Sequence, residues 1–226
     1  MSFRSWVKHA LPYPLTCAIA RIINRPFLED IHRNERIVEY AWVLAHVRGP
    51  RIADVGCAGS YFAEMLCFFG EVVGIDPRPT PRVRHPRFRR ESKVSYGAPY
   101  DTVVCISVLE HLPRTAARQL IWQMLEALTS TGQCLVTVPL SPVVQRFKGY
   151  QPYTLSEVYD WPGCDTFSVF RREREGYWKM LNADAVDVHD GADATIEAIV
   201  EHLPESTEHQ VNAVACVRLT KTDASA

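Results

Sequence analysis

The sequence has no Cys-x-x-Cys pair, no internal repeat, no low-complexity segment, and no apolar run approaching the roughly 18 residues that a membrane span needs. Its seven cysteines, at 17, 57, 67, 105, 134, 164 and 216, are odd in number and scattered, several within apolar runs such as Val104-Cys105-Ile106 and Ala215-Cys216-Val217. That is the distribution of reduced, buried thiols, and it argues against a disulfide framework or a cysteine zinc site. An excess of one charge is missing as well. Lys and Arg number 25 against 26 Asp and Glu, a net of -1, so no overall field draws the chain to nucleic acid or to an anionic membrane.

What remains is an ordinary globular composition, 47% hydrophobic, 10% aromatic and 23% charged in 226 residues. That suits one domain with a small appended lid, burying about 70 to 75% of its unfolded surface. At the start of the chain, Arg4, Lys8 and His9 precede an uncharged stretch closing with Ala18-Ile19-Ala20, the outline of a signal peptide. Pro12 and Pro14 break the apolar helix such a peptide requires, and the expectation is a cytoplasmic protein. The Trp, Lys and apolar side chains of 6–23 also suit weak peripheral contact with a membrane face.

Along the chain, strand and helix signals alternate. Apolar positions Ile31, Ile37, Val38, Ala41, Trp42 and Ala45 recur at helical spacing over 28–47, ahead of the stop Gly49-Pro50. Residues 51–55 read as a strand, 60–69 as a helix stopped by Gly70, and 71–75 as a second strand, together a βαβ unit. Buried parallel strands are expected at 100–107 and 133–138, with a helix at 115–128 between them. After Pro139 comes a loop rich in proline and aromatics, then Thr154-Leu155-Ser156-Glu157, a capping box that opens a helix. Residues 165–171 and 212–220 read as strands, the region between them is ambiguous, and 221–226 is a polar tail.

The strongest chemical signal is Asp54-Val55-Gly56-Cys57-Ala58-Gly59-Ser60, a glycine-containing turn from strand to helix, with Asp76 closing the next strand. Small residues let a ligand press on the backbone, the helix start offers free amides, and a carboxylate on the second strand can accept from both ribose hydroxyls. This pattern describes an adenosine site. A dinucleotide turn wants Gly-x-Gly-x-x-Gly or Ala, whereas counting from Gly56 gives Ala58 and then Tyr61, whose ring would obstruct close packing of helix on strand. NAD and FAD are disfavoured.

The acid-x-Gly-x-small-x-small pattern resembles the first motif of class I S-adenosylmethionine-dependent methyltransferases, and Val73-Gly74-Ile75-Asp76 resembles their second. Tyr100-Asp101-Thr102-Val103-Val104 with Ser107-Val108-Leu109-Glu110-His111-Leu112, then 131–139, resemble the fourth and fifth strands of the branch called methyltransferase type 11. The likeness spans about 34 to 140, and the usual second and third glycines are here Ala58 and Ser60. It implies an α/β, Rossmann-like sheet of seven mostly parallel strands, the last antiparallel, flanked by helices. It also implies a single domain: an N-terminal helical cap at 1–46, a cofactor-binding core at 47–140, a substrate lid with the last strands at 141–220, and the tail. The implied cofactor is S-adenosyl-L-methionine. Asp54, Gly56, Cys57, Ala58 and Gly59 would line its methionine end, Asp76 hold the ribose, Glu91 or Ser92 lie near the adenine, and Ser107 and Val108 close the site.

Methyl transfer is an in-line displacement, so the protein must hold a nucleophile about 3 to 3.5 Å from the methyl carbon and accept its proton where it has one. His111, just past the fourth strand, is the candidate general base; alternatively Glu110-His111 only closes that loop. No metal is expected: related enzymes that bind a divalent ion carry a further carboxylate three residues before the Glu-His pair, where this chain has Ser107. The Asn/Asp-Pro-Pro-aromatic signature, which resembles methylation of exocyclic or amide nitrogens, is absent. The expected acceptor is therefore a small molecule, through an oxygen of a glycan, a lipid-linked compound or a secondary metabolite. Arg78, Arg82, Arg84, Arg87, Arg89 and Arg90 form a proline-interrupted basic loop that could grip phosphate and leaves an RNA methyltransferase as an alternative. A non-catalytic module that retains the cofactor fold is another. Tyr150, Tyr153, Tyr159, Trp161, Phe167, Phe170, Tyr177 and Trp178 are expected to supply both lid core and an aromatic-lined pocket.

Overall fold

The computed structural model describes residues 35–57, 62–77, 83, 85–92, 99–145, 147, 149–173, 178–181, 186–187 and 211–221. Its first element, α1 (Arg36–His46), buries Ile37, Val38, Ala41, Trp42 and Val43 and ends ahead of Gly49, which has φ 69. A Cβ on Gly49 would stand 2.2 Å from the Asp101 Cβ, so the turn into the sheet requires glycine for both conformation and space.

The strands β1 (Arg51–Val55), β2 (Glu71–Ile75), β3 (Phe88–Glu91), β4 (Tyr100–Ile106) and β5 (Leu128–Pro139) all pair in parallel, with α2 (Phe62–Leu66) between β1 and β2 and α3 (Arg114–Glu126) between β4 and β5. Four of the five residues in β1 and in β2 are buried. Helices cover both faces of such a sheet, which leaves no polar side to the strands and explains their continuous Val/Ile/Ala/Cys runs. One apolar cluster joins Val103, Cys105 and Val136 to Ile121, Met124 and Leu125 of α3; the other joins Ile52, Val72 and Leu135 to Trp42 of α1 and Phe62 of α2.

Beyond β5 lie α4 (Leu155–Tyr159), β6 (Cys164–Arg172), β7 (Trp178–Met180), β8 (Val186–Asp187) and β9 (Ala213–Thr220). The capping box at α4 forms as its sequence implies, with the Glu157 amide donating to Thr154 Oγ1 and the Thr154 amide donating to Glu157 Oε2 at 2.8 Å. Strand order is β3-β2-β1-β4-β5-β9-β6-β7, and β9 runs antiparallel to both β5 and β6. The expected seven-stranded sheet with an antiparallel last strand is present as the first seven members of that order. The short β7 and β8 add to the outer edge of β6, in the stretch that the sequence pattern leaves ambiguous.

The helices expected to run to 69 and to 128 end at Leu66 and Glu126, and the start of the fifth strand differs most. The sequence places the start of the fifth strand after Gly132, whereas β5 begins at Leu128, paired with Tyr100, and resumes regular pairing at Gln133 with Thr102. Gly132 sits inside this irregularity, where a Cβ would lie 2.8 Å from the Tyr100 carbonyl oxygen. It marks a bulge rather than a strand start. Cysteines 57, 67, 105, 134, 164 and 216 are buried free thiols; Cys17 lies outside the described residues. Among the described residues no helix is long and apolar enough to cross a membrane.

Candidate functional site

The strand order reverses direction at β1, whose neighbours are β2 and β4, and ligands of open α/β sheets bind at the carboxyl ends of the strands beside such a point. Asp54, Val55 and Gly56 leave β1 there. The Gly56 amide donates to the Ile75 carbonyl at 2.8 Å, its φ is 80, and a Cβ would stand 2.3 Å from Val108 Cγ2. Gly56 and Val108, 52 positions apart in the sequence, thus form one close contact between the ends of β1 and β4. Cys57 is buried, burial and then Asp54 push its thiol up to about 12, and it has no nucleophilic role. Ala58 and Gly59 lie outside the described residues.

Two buried acids flank this turn. Asp54 is 4% exposed, its Oδ2 has no hydrogen-bond partner, and burial followed by the charge of Asp76 pushes its carboxyl up to about 7. Asp76, 2% exposed, follows β2 and donates its amide to the Glu91 carbonyl at 3.2 Å. Glu91 ends β3 beside Ile75, half-buried, with Oε1 3.6 Å from Arg89 Nε. An orphaned buried carboxylate, a turn that only glycine fits and a second buried acid one strand away are the features that a ligand with a cationic end and a ribose diol requires. The residues present therefore fit S-adenosylmethionine.

At the end of β4, Ser107 adopts φ 48, a conformation that a non-glycine residue holds only where its surroundings fix it. Its amide donates to the Thr137 carbonyl at 3.0 Å and its hydroxyl donates to Glu39 Oε1 at 2.6 Å. Thr137 Oγ1 donates to the same oxygen at 2.7 Å, and Arg36 Nη1 donates to Glu39 Oε2 at 2.8 Å. With its hydroxyl committed to Glu39, Ser107 has only its backbone to offer a ligand.

His111 closes a 3-10 turn at Leu109–His111. Its ring is 55% exposed, Nδ1 donates to the Gly149 carbonyl at 2.9 Å, and Nε2 lies 3.9 Å from Glu110 Oε1. Glu110 itself is 2% exposed, and burial is the first cause that pushes its carboxyl up to about 8. Among the described residues no group of His, Cys, Asp and Glu could hold a metal ion.

Several expected features divide. Tyr153, Phe167 and Phe170 are fully buried core; Arg114 stands 3.6 Å above the Tyr153 ring and Trp161 meets it edge-on at 5.2 Å. Tyr153 reaches the candidate catalytic turn from within the core, its hydroxyl donating to the Leu109 carbonyl at 3.4 Å, and Tyr150, stacked on Phe147, lies with its ring 5.9 Å from that of His111. Tyr177, Arg78, Arg82 and Arg84 lie outside the described residues. Of the other loop arginines, Arg87 donates to the Cys67 carbonyl, Arg90 to the Asp76 carbonyl, and Arg89 stands beside Glu91, so each makes a contact within the chain. A cleft of about 280 Å³ lined by Arg51, Glu71, Arg87 and Tyr100 opens at the amino edge of the sheet, the far end from Asp54. Sequence reasoning missed Glu39, and it named Tyr150 only as one of eight lid aromatics. Glu39 stands beside the apolar stripe of α1, and only its burial against β4 and β5 distinguishes it from a surface acid.

The fold and this site define a class I S-adenosylmethionine-dependent methyltransferase. The chain belongs to the methyltransferase domain family, whose sequence profile matches residues 21–186. Its fold is similar to that of a SAM-dependent methyltransferase from Archaeoglobus fulgidus, with TM-score 0.55 and 14% identity over 87% of this chain and 100% of that one. It is also similar to 1,6-didemethyltoxoflavin-N1-methyltransferase from Burkholderia thailandensis, solved with 1,6-didemethyltoxoflavin and S-adenosylhomocysteine, with TM-score 0.53 and 14% identity over 94% of this chain and 92% of that one. A third similar structure is the N-methyltransferase NodS from Bradyrhizobium japonicum WM9, with TM-score 0.53 and 15% identity over 88% and 99% of the two chains. No curated protein sequence matches.

Proposed function

We propose that the protein transfers the methyl group of S-adenosylmethionine to a small-molecule acceptor bound at the carboxyl ends of β4 and β5. The observation that carries this proposal is the meeting of Asp54, Gly56, Asp76 and Val108 where the strand order reverses. In it, Asp54, Gly56 and Cys57, with Ala58 and Gly59, surround the methionine end, Asp76 accepts from the ribose hydroxyls, Glu91 borders the adenine, and Ser107 and Val108 form the wall between cofactor and acceptor. The bound cofactor supplies an electrophilic methyl on a sulfonium; the chain supplies placement and a route for the acceptor's proton.

Calorimetry with S-adenosylhomocysteine tests the cofactor site. Asp76→Ala is expected to weaken binding by about 1.5 to 3 kcal/mol, roughly 10- to 150-fold, because it removes charge-assisted hydrogen bonds to a diol. Unchanged affinity in a folded variant would reassign the ribose.

His111 completes the proposal as the residue through which the acceptor's proton leaves. Its Nδ1–H is committed to Gly149, which directs the Nε2 lone pair to the side of Glu110, and half of the ring meets solvent. His111→Ala should lower kcat by about 10² to 10⁴ with cofactor affinity within a few-fold. The deficit shrinks as pH rises and more of the acceptor is already deprotonated. Near-normal turnover at neutral pH would reduce His111 to a residue that closes its loop. The missing nitrogen signature that favours an oxygen acceptor concerns exocyclic and amide nitrogens, and it leaves alkyl amines open.

A further inference from the structure

Polar groups around the Leu109–His111 turn do not balance. The side chain of Glu110 is 2% exposed, and its Oε2 has no hydrogen-bond partner. The Tyr150 hydroxyl is likewise buried without a partner, on the segment whose next residue, Gln151, donates its amide to the Glu110 carbonyl at 2.8 Å. Two such groups on hydrogen-bonded neighbouring segments leave buried polar capacity that a bound ligand would fill.

The charges in range of Glu110 are Glu35, Arg36 and Glu39 from α1, with His111 on its own turn. Arg36 is ion-paired to Glu39 at 2.8 Å and Arg172 stands in range of Glu35, which leaves Glu110, once ionised, as the surplus carboxylate. A neutral hydroxyl would satisfy the orphaned oxygen and leave that surplus standing, whereas a cationic donor satisfies both.

Resting on the methyltransferase function proposed above, we infer that Glu110 and Tyr150 bind the acceptor, and that its nucleophile is an alkyl amine which arrives as an ammonium ion. Glu110 carboxylate takes one proton from the ammonium, giving a neutral amine and a neutral carboxylic acid. The nitrogen lone pair then forms the N–C bond to the methyl carbon while the C–S bond breaks, its electron pair passing to sulfur to leave S-adenosylhomocysteine and a methylated ammonium. The proton on Glu110 leaves through His111 Nε2 to water. A carboxyl held up to about 8 by burial and by Glu39 and Glu35 is a far better match for an amine, about 10.4 for a lysine-like one, than a carboxyl near its ordinary value.

The test begins with calorimetry on the full chain, since failure to bind S-adenosylhomocysteine overturns the methyltransferase reading itself. The protein is then given methyl-labelled S-adenosylmethionine and a panel of primary and secondary alkyl amines, each alongside the alcohol of the same skeleton, at millimolar concentration. Methylation of amines in preference to their alcohols is expected, with kcat/KM rising as pH passes about 8. Glu110→Gln should lower that kcat/KM by about 10² to 10⁴ and abolish the rising limb, with S-adenosylhomocysteine affinity within a few-fold. Tyr150→Phe, which removes one oxygen, should raise KM for the amine more than it lowers kcat, and it decides the matter if the glutamine variant does not fold. Methylation of alcohols but not amines, no amine turnover in a protein that binds S-adenosylhomocysteine, or wild-type amine kinetics in both variants overturns the amine assignment and leaves the methyltransferase reading intact.

Discussion

Glu39→Ala is expected to destabilise the fold by about 3 to 5 kcal/mol, the scale for breaking a buried ion pair on one side. Glu39 is fully buried and accepts from the Ser107 hydroxyl, the Thr137 hydroxyl and Arg36 at 2.6, 2.7 and 2.8 Å. Alanine takes away all three bonds at once, and with them the acceptor of two buried hydroxyls. Ser107 also loses the contact that holds its side chain while its backbone sits at φ 48, so the end of β4 should relax toward an ordinary conformation. Glu39→Gln keeps one carbonyl oxygen and should lose only about 1 to 2 kcal/mol. Urea denaturation followed by fluorescence measures both. A loss under about 1 kcal/mol for alanine would mean that α1 is not anchored to β4 and β5 through this carboxylate.

That anchor shows where sequence stops being informative. The two strands of the βαβ unit were legible down to their ends, with 51–55 and 71–75 recovered as β1 and β2, because continuous apolar runs bounded by Gly, Pro and acids signal buried parallel strands locally. Asp54, Gly56 and Asp76 were legible for the same reason, since all three belong to one turn and the strand after it. Glu39 is separated from Ser107 and Thr137 by 68 and 98 positions, and no local pattern encodes a bond across that span. Glu110 could be seen in the sequence, but its burial and its orphaned oxygen follow from the neighbouring segments. The aromatics after β5 were legible as a group only: Tyr153, Phe167 and Phe170 pack in the core while Tyr150 reaches the His111 turn, a difference of packing that composition does not carry.

Stability should fall as pH rises from about 5 to 8.5, the reverse of a protein dominated by exposed ion pairs. Burial first, then Glu39 and Glu35, hold the folded Glu110 carboxyl at about 8 against an ordinary 4.5. Burial and then Asp76 hold Asp54 at about 7 against 3.8. Between each pair of values the folded protein keeps a proton that the unfolded chain has released, so the unfolded state binds fewer protons and the unfolding free energy decreases with pH. Each unit of separation corresponds to about 1.4 kcal/mol, and the two acids together are worth several kcal/mol between acid and alkaline conditions. Glu157, held below its ordinary 4.5 chiefly by hydrogen bonds from Arg114 that outweigh its partial burial, contributes the opposite slope, but only as pH falls through that lower range. It therefore leaves the window above pH 5 to Glu110 and Asp54, joined by Glu35, whose carboxyl burial and then Glu39 also raise. Glu110→Gln separates Glu110 from the rest, because glutamine retains the volume and does not titrate. Urea midpoints taken from pH 5.5 to 8.5 should decline for the natural protein and decline less steeply for the variant, most clearly between pH 7 and 8.5, where Glu110 is the later of the two to ionise. Equal slopes for the two proteins would place the Glu110 carboxyl in contact with solvent and remove the physical basis for its holding a proton at neutral pH.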